Sequence, residues 1–226
     1  MNHNSPNAFA ASDIEAVYRA IHQRRDIRHF VPGTLPEGCL DRLLDAAHAG
    51  PSVGYMQPWR FLRITDENLR IRLCELVDTE RQKTSEAMST RQQEFLQLKV
   101  EGIRECAEIL VVALMNGREP HIFGRRTMPA MDLASAACAI QNLWLAARAE
   151  GIGMGWVSIF DPLALARLLD MPSGAEPIAI LCLGQVSEFA PQPLLETLGW
   201  GERLPREQWL FENTWPTDAK PTPTRY

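Results

Sequence analysis

A charged cluster, RRDIRHF at 24–30, contains the residue types needed to hold a small anion. Arg24, Arg25 and Arg28 are spaced so that two of them can point to one side of a helix end, and guanidinium groups bind phosphate oxygens through paired hydrogen bonds. The alternative interpretation is a solvated basic patch. A carboxylate repels an anionic ligand, so the presence of Asp26 among these arginines needs a separate explanation.

A second stretch, GPSVGYMQPW at 50–59, is predicted to be a loop because it contains two prolines and two glycines. Ser52 and Gln57 offer polar contacts, and free backbone groups there could bind the edge of a flat heterocycle. Apolar surface for stacking on such a ring is available from Tyr55, Met56 and Trp59. The alternative is a structural loop whose tryptophan fills the core. Together with the arginines, the loop indicates a mononucleotide-like ligand.

The elements that would position these residues alternate between helix and strand. Apolar periodicity and turn signals predict helices at 13–23 (capped by Asp13), 36–49, 131–151 and 161–169, and strands at 59–64, 107–115, 153–160 and 176–186. This alternation is typical of an α/β or α+β domain. The glycines of GIGMG at 151–155 follow a helix and precede a strand, which is the reverse of the dinucleotide-binding order, so they do not indicate such a site.

Three segments suggest surfaces beyond a single packed chain. The helix at 131–151 is apolar nearly all round, which suggests that it packs against a second subunit as well as its own sheet. Four aromatic residues in the polar C-terminal stretch are typical of a segment that wraps around a partner chain: Trp200, Trp209, Phe211 and Trp215. The charged stretch at 66–105 predicts either a solvated helix pair or a mobile cover over a site.

The composition excludes several classes of protein. The chain has 226 residues and a formal net charge of −5, which indicates a globular protein that does not bind nucleic acid. Its five cysteines and five histidines show no metal-ligand or redox spacing, so we predict free thiols and no metal site. No signal peptide and no bilayer-spanning apolar run is recognisable, so we expect a soluble cytoplasmic protein with no membrane contact.

From about residue 13 to 215 the chain resembles the flavin-binding nitroreductase superfamily. Within it, the chain closely resembles the BluB-type 5,6-dimethylbenzimidazole synthases of vitamin B12 biosynthesis. The resemblance rests on RRDIRHF, AAHAGPSVGYMQPWRF, MDLASAACAIQNLWLAARAEGIGMGWVSIF and ERLPREQWLFENTW. The first arginines and RLP near the end are shared across the superfamily, whereas Asp26, the SVGYMQPW loop and GWVSIF single out the synthases.

The resemblance implies an α+β, nitroreductase-like fold: a central, mostly antiparallel sheet flanked by helices, in an intertwined homodimer with shared FMN sites. It implies one domain at 13–215 with a lid at about 80–105, while the polar residues 1–12 and the tail at 216–226 are predicted to be disordered or flexible.

The residues it places around FMN are Arg24, Arg25, Asp26, Ile27, Arg28, Pro51, Ser52, Val53, Gly54, Met56, Gln57, Trp156, Val157, Ser158, Leu183, Gly184 and Arg203. The four arginines would hold the phosphate and ribityl chain, and the loop at 51–57 would come from the other subunit or line the ring. Residues 156–158 would border the ring on its other side.

The resemblance also implies that reduced FMN is consumed in a reaction with O2. The ring system and ribityl C1′ become dimethylbenzimidazole, and the rest of the sugar leaves as erythrose 4-phosphate; a separate flavin reductase would supply reduced FMN. Asp26 would be the general base beside C1′ and C2′, kept ionised by its neighbouring guanidiniums, and Ser158 would orient the ring. The alternatives are a structural salt bridge from Asp26 to Arg24 or Arg28 and a packing role for Ser158.

Two other functions stay open at this point. The first is an NAD(P)H-dependent nitroreductase or flavin reductase on the same fold, which would keep its flavin and reduce it rapidly with NADH; a reductive dehalogenase would also keep its flavin. The second is a non-catalytic flavin-binding module. It predicts FMN binding without consumption, and replacement of Asp26 should then change affinity alone.

Overall fold

The centre of the molecule is an antiparallel sheet. In the computed structural model, which describes residues 5–216, four strands pair in the order β1 (Trp59–Arg63), β2 (Glu108–Leu114), β4 (Glu176–Gly184) and β3 (Gly153–Val157). All neighbouring pairs are antiparallel. The two central strands, β2 and β4, are almost continuously apolar because helices cover both of their faces. The predicted α+β class with an antiparallel sheet is confirmed, although β3 ends three residues before the predicted strand at 153–160 does.

Helices surround this sheet. Those of the described residues are α1 (Ala11–Gln23), α2 (Cys39–His48), α3 (Glu67–Ala87), α4 (Gln92–Gln97), α5 (Met131–Ala149), α6 (Pro162–Leu168) and α7 (Leu194–Thr197). The start of α6 is fixed by Asp161, whose side chain accepts a hydrogen bond from the N–H of Ala164 at 2.8 Å. The prediction that Asp13 caps the first helix is wrong, because α1 begins two residues earlier, with Ala10 at the N-cap position. α2 begins three residues later than predicted.

Two apolar cores hold the helices against the sheet. On one face, α2 and α5 contribute fully buried residues such as Leu43 and Ile140. On the other face, α3 and α6 contribute Leu73 and Leu165. Each fully buried side chain of this size stabilises the fold by roughly 1.5–3 kcal/mol relative to an exposed one. The sheet is therefore a rigid support for the segments that lie at its edge.

Two helices leave apolar surface uncovered in the single chain. α1 buries none of its residues, and Val17, Tyr18 and Ile21 are exposed along it. α5 buries one side against the sheet, while Leu133 and Cys138 are exposed on the other. Extended apolar faces of this kind usually mark contact surfaces.

The charged stretch at 66–105 forms a helix pair, which is one of the two structures predicted for it. α3 is capped by Asp66, and Phe95 of α4 is buried. Between the two helices, Arg91 connects this pair to the C-terminal stretch: its Cζ lies 3.9 Å from the ring centroid of Trp200, and its Nη1 donates to the Gly199 carbonyl at 3.1 Å. The pair is thus tied to the C-terminal stretch of the same chain.

The two predicted flexible termini are only partly covered by the described residues. Residues 1–4 and 217–226 lie outside them. Residues 11 and 12, predicted to belong to the disordered N-terminus, are the first residues of α1. Across 5–216, the structure contains no helix with the length and apolar character required to span a bilayer.

Candidate functional site

The RRDIRHF segment lies along the edge strand β3. The N–H of Ile27 donates to the carbonyl of Met154 at 3.0 Å, which adds the segment to the sheet edge. Gly155 permits this approach, because a side chain there would collide with the Ile27 carbonyl oxygen and lie 2.5 Å from Arg28 Nη1. Gly155 therefore lets the charged segment lie directly on the strand.

Arg28 and β3 together fix the carboxylate of Asp26. Two distances of 2.7 Å, from Nη1 to Oδ1 and from Nη2 to Oδ2, define a two-pronged ion pair. The main-chain N–H of Trp156 also donates to Oδ1, at 3.0 Å, and the Trp156 carbonyl accepts a hydrogen bond from Arg28 Nη2 at 2.8 Å. The Arg28 side chain is only 14% exposed, against 47% for Asp26. The salt bridge considered from the sequence is thus present, and the carboxylate remains accessible from outside.

The surroundings of Asp26 shift its pKa in opposite directions. Desolvation is the largest effect and raises the pKa, whereas the charge of Arg28, the N–H of Trp156 and the charge of Arg24 lower it. The net result is a raised pKa, so the guanidiniums offset burial only in part, contrary to the expectation from the sequence. Since 47% of the side chain is exposed, this desolvation arises from neighbouring residues packed beside the carboxylate, which is not sealed inside the protein.

The first two arginines are held differently from Arg28. Arg25 is anchored to the main chain, with Nε donating to the Ala190 carbonyl at 2.8 Å and Nη1 to the His22 carbonyl at 2.9 Å. The guanidinium of Arg24 lies over the indole of Trp144, with 4.6 Å between Cζ and the ring centroid. The three arginines look equivalent in sequence but have different roles: Arg28 pairs with the carboxylate, whereas Arg24 and Arg25 lie beside it.

These two arginines belong to a larger cluster of positive charge. Desolvation, followed by the charges of Arg24, Arg148 and Arg203, lowers the pKa of Arg25, and Glu196 opposes the shift. The charge of Arg203 therefore acts on Arg25 although the two residues are far apart in the sequence. Arg148 was not identified from the sequence, because nothing in its local pattern distinguishes it from an ordinary basic residue at a helix end. A concentration of like charge fits an anionic ligand such as a phosphate ester.

The loop at 50–57 is held against the N-terminal part of α5. Ser135 Oγ accepts a hydrogen bond from the N–H of Val53 at 3.0 Å. Within the loop, Ser52 Oγ accepts from the N–H of Gln57 at 3.1 Å. Tyr55 and Gln57 adopt positive φ angles of 56° and 49°, a strained conformation for non-glycine residues that is frequent in functional loops. Ser135 was not identified from the sequence as a residue that holds this loop.

The apolar residues of this loop have different environments. Trp59 is 4% exposed and its indole Nε1 donates to His48 Nδ1 at 3.3 Å, so it fills the core, which was the alternative considered for it. Tyr55 is fully outside. Met56 lines a cleft of about 240 Å³ together with Val53, Gly54 and residues 120–123. Val53 and Met56 are the apolar side chains that the loop contributes to this cleft.

A buried ion network fixes the opposite wall of this cleft. Asp132 is 5% exposed and accepts hydrogen bonds from Arg118 Nε at 3.0 Å and Arg125 Nη2 at 2.9 Å. The loop between these arginines carries Phe123, whose carbonyl oxygen would lie 3.1 Å from a side chain added at Gly54. The network was not predicted; its only signal in the sequence is the recurrence of opposite charges between residues 118 and 132.

The residues predicted on the other side of the ligand lie at the ends of β3 and β4. Ser158 follows β3 and is exposed, and Trp156 is half-buried. Val157 and Leu183 have side chains buried in the two opposite cores, and Gly184 is also buried. Of these residues, only Ser158 and Trp156 therefore have side chains that a ligand could contact. Val157, Leu183 and Gly184 can reach a ligand through the main chain alone.

α5 separates the two halves of the site. Its Ser135 contacts the loop at 50–57, and its Trp144 contacts the arginines. Trp144 follows Ser135 by nine residues, which corresponds to about 14 Å along a helix. A larger groove of about 440 Å³ lies elsewhere, between α3 and α6, and contains none of the predicted site residues. Among residues 5–216, no group of three or more histidine, cysteine, aspartate or glutamate side chains is arranged to hold a metal ion.

Comparison with known proteins gives a consistent result. Residues 21–185 match the model of the nitroreductase family. The chain is 39% identical over 204 residues to a 5,6-dimethylbenzimidazole synthase of Rhodobacter capsulatus, covering 88% of this chain and 97% of the relative. It is 40% identical over 184 residues to a synthase of the same name from Rhodospirillum rubrum, covering 80% of this chain and 87% of the relative. The crystal structure of oxidised iodotyrosine deiodinase with FMN and 3-iodo-L-tyrosine shares the fold, with a TM-score of 0.69 and 22% identity over 88% of this chain and 100% of that one.

Proposed function

The chain belongs to the nitroreductase family, and from that premise we propose that it is a 5,6-dimethylbenzimidazole synthase. The enzyme would consume reduced FMN and O2 and release dimethylbenzimidazole, the lower ligand of cobalamin, together with erythrose 4-phosphate. The observation that carries the proposal is the 39% identity to the Rhodobacter capsulatus synthase over 88% of the chain. Reduced FMN supplies both the electrons that react with O2 and the carbon atoms of the product.

The residues of the site fit FMN, whose phosphate, sugar chain and ring need different surroundings. Arg24, Arg25 and Arg203 form the core of a positively charged cluster, which suits a phosphate ester. The cleft beside Val53 and Met56 contains apolar side chains against which the ring or its edge could pack. Asp26 lies next to the arginines and not among them, so a bound phosphate would bring the ribityl chain towards its carboxylate.

Asp26 is assigned the role of general base on the ribityl chain. Arg28 and the N–H of Trp156 hold the carboxylate in one orientation, and its accessible side leaves lone pairs for a proton from the sugar. A raised pKa makes a carboxylate a stronger base at neutral pH than an ordinary aspartate. The ion pair with Arg28 therefore positions the base in this proposal, and the binding of phosphate is left to the other arginines.

Ser158 is assigned to the ring. It lies two residues beyond Trp156, whose N–H binds Asp26, and directly after the last residue of β3. Its exposed hydroxyl can donate a hydrogen bond to a ring heteroatom. The general base and the ring-orienting serine are then supported by the same end of β3.

We also propose a homodimer with shared sites, in which the segment at about 80–105 covers the ligand as a lid. The support is the uncovered apolar faces of α1 and α5 and the separation of about 14 Å between the two halves of the site along α5. If α5 packs against its copy, the loop at 50–57 of one chain can approach the arginines of the other. We further propose that a separate flavin reductase supplies reduced FMN in the cytoplasm, where five free cysteines stay reduced.

A single-turnover experiment tests the proposal. FMN is photoreduced anaerobically with the purified protein, O2 is admitted, and the products are separated. Dimethylbenzimidazole should appear in an amount that matches the loss of flavin. Recovery of intact FMN together with rapid flavin reduction by NADH would instead indicate an NAD(P)H-dependent reductase, and recovery without NADH oxidation would indicate a flavin-binding module.

The Asp26→Asn variant tests the assigned base in the same assay. We expect product formation to fall by roughly 10²–10⁴-fold, the usual contribution of a general base, with FMN binding retained. Asp78→Asn is a matched control, because Asp78 also pairs with an arginine, Arg104 at 3.4 Å, but on an exposed surface of α3. Normal product formation by Asp26→Asn would reduce Asp26 to a structural salt-bridge partner.

A further inference from the structure

Trp144 connects the two arginines that begin the RRDIRHF segment. It lies on the buried side of α5 and is 8% exposed. Its indole Nε1 donates to the main-chain carbonyl of Arg25 at 3.2 Å. The guanidinium of Arg24 lies over the same ring, with Cζ 4.6 Å from the centroid. One side chain therefore fixes the backbone of one arginine and the charged group of the other.

Such a support is needed because the arginines repel each other. Arg24, Arg148 and Arg203 all act on Arg25 as like charges. The Arg25 side chain is anchored to main-chain carbonyls, whereas the long cationic side chain of Arg24 would turn away into solvent without such a support. A flat aromatic face holds a guanidinium by cation–π attraction and leaves its edge free to donate hydrogen bonds. Groups that are already in place lose less conformational entropy when the ligand binds.

We propose that Trp144 is a positioning residue for the phosphate end of the ligand. It holds Arg24 and Arg25 in the arrangement that grips the phosphate ester, without touching the ligand itself. The inference rests on the proposed function, in which that ligand is FMN. It goes beyond that function by assigning the selectivity for a phosphorylated flavin to a buried residue of α5.

The proposal predicts an effect that depends on the phosphate. Riboflavin has the same ring and sugar chain as FMN but no phosphate, so Trp144 should influence the binding of FMN alone. Trp144→Phe keeps a ring under Arg24 but removes the donor to the Arg25 carbonyl, and the loss of one hydrogen bond corresponds to roughly a 5-fold fall in the ratio of FMN to riboflavin affinity. Trp144→Leu removes the aromatic face as well, and we expect a fall of about 10-fold or more.

The experiment is a fluorescence titration of the full-length protein with oxidised FMN and with riboflavin, with the thermal unfolding midpoint of each variant measured in parallel. Trp59→Phe is the matched control. Trp59 is also a buried tryptophan whose indole donates to a neighbour, His48 at 3.3 Å, but it fills the core away from the arginines. It should change stability without changing the affinity ratio.

The outcomes separate the inference from the proposed function. Equal affinity of the unmodified protein for FMN and riboflavin would overturn the phosphate site itself, and with it the FMN assignment. The role of Trp144 would be overturned if both Trp144 variants kept the full preference for FMN. It would also be overturned if the variants lost affinity for both flavins equally, as a purely structural defect would cause. If Trp144→Leu does not fold, the ratio measured for Trp144→Phe decides.

Discussion

Replacing Gly155 with alanine tests whether the site depends on the close approach of the RRDIRHF segment to β3. The added methyl group would collide with the Ile27 carbonyl oxygen and lie 2.5 Å from Arg28 Nη1. Ordinary contacts require about 3.5 Å, so the segment must retreat from the strand by roughly 1 Å. Neither neighbour can yield easily, because one is main chain and the other is pinned by Asp26 and β3.

A retreat of that size breaks two hydrogen bonds that tie the segment to the strand. They join the Ile27 N–H to the Met154 carbonyl and the Trp156 N–H to Asp26 Oδ1, each at 3.0 Å. A neutral hydrogen bond contributes about 1 kcal/mol and one to a charged group about 1.5–3 kcal/mol. We therefore expect Gly155→Ala to lower the free energy of unfolding by roughly 2.5–4 kcal/mol and to abolish most product formation, because Asp26 loses its orientation.

Urea unfolding and the single-turnover assay measure these two effects. Gly201→Ala is the control, because no atom lies within 4 Å of a side chain added there, and it should leave both quantities unchanged. If the two alanine variants unfold at the same urea concentration and form equal amounts of product, the segment does not depend on Gly155 and the steric argument is wrong.

Three further predictions concern other parts of the molecule. Asp132→Asn should lower the free energy of unfolding by about 3 kcal/mol, since it removes the buried charge that pairs with Arg118 and Arg125; urea unfolding measures this, and a change below experimental error would show that the network is dispensable. Because the pKa of Asp26 is raised on folding, its contribution to stability is fully present below the unfolded-state pKa of about 3.9 and is lost as the pH rises through the folded-state pKa. The unfolding free energy of the unmodified protein minus that of Asp26→Asn should thus decline from acid to neutral pH, and a rising difference would contradict the direction of the shift. Cys138 alone of the five cysteines is exposed in the single chain. A dimer that forms through α5 should therefore protect the Cys138 thiol from iodoacetamide until the subunits are separated. Immediate labelling of a native dimer would place the interface elsewhere.

Local sequence patterns were sufficient for most of the fold. Continuous apolar runs marked β2 and β4 as central strands, and a proline after Asp161 marked the start of α6. These features depend on interactions within a few residues, which spacing and residue type reveal directly. The same holds for Arg24, Arg25 and Arg28, which lie close together in the chain. The start of α1 was misplaced because Asp13 offered a strong capping residue that the helix does not use.

The division of roles within the site required the tertiary structure. Whether Arg24, Arg25 or Arg28 pairs with Asp26 depends on the position of the Trp156 N–H, 130 residues away in sequence, and that position follows from the register between β3 and β4. Local patterns cannot encode such a register. For the same reason Arg148, Asp132, Ser135 and Trp144 looked like ordinary helix residues.

The sequence by itself determined the main helices and strands and the charged segment, and its resemblance to a family implied the antiparallel α+β class. The tertiary structure alone decided which arginine orients the carboxylate, which residues support the loops, and that Gly155 serves close packing. The physical reason is the distance along the sequence between the residues that interact. Helix and strand preferences arise between neighbouring residues, whereas the chemistry of this site arises where segments more than 100 residues apart come within hydrogen-bonding distance.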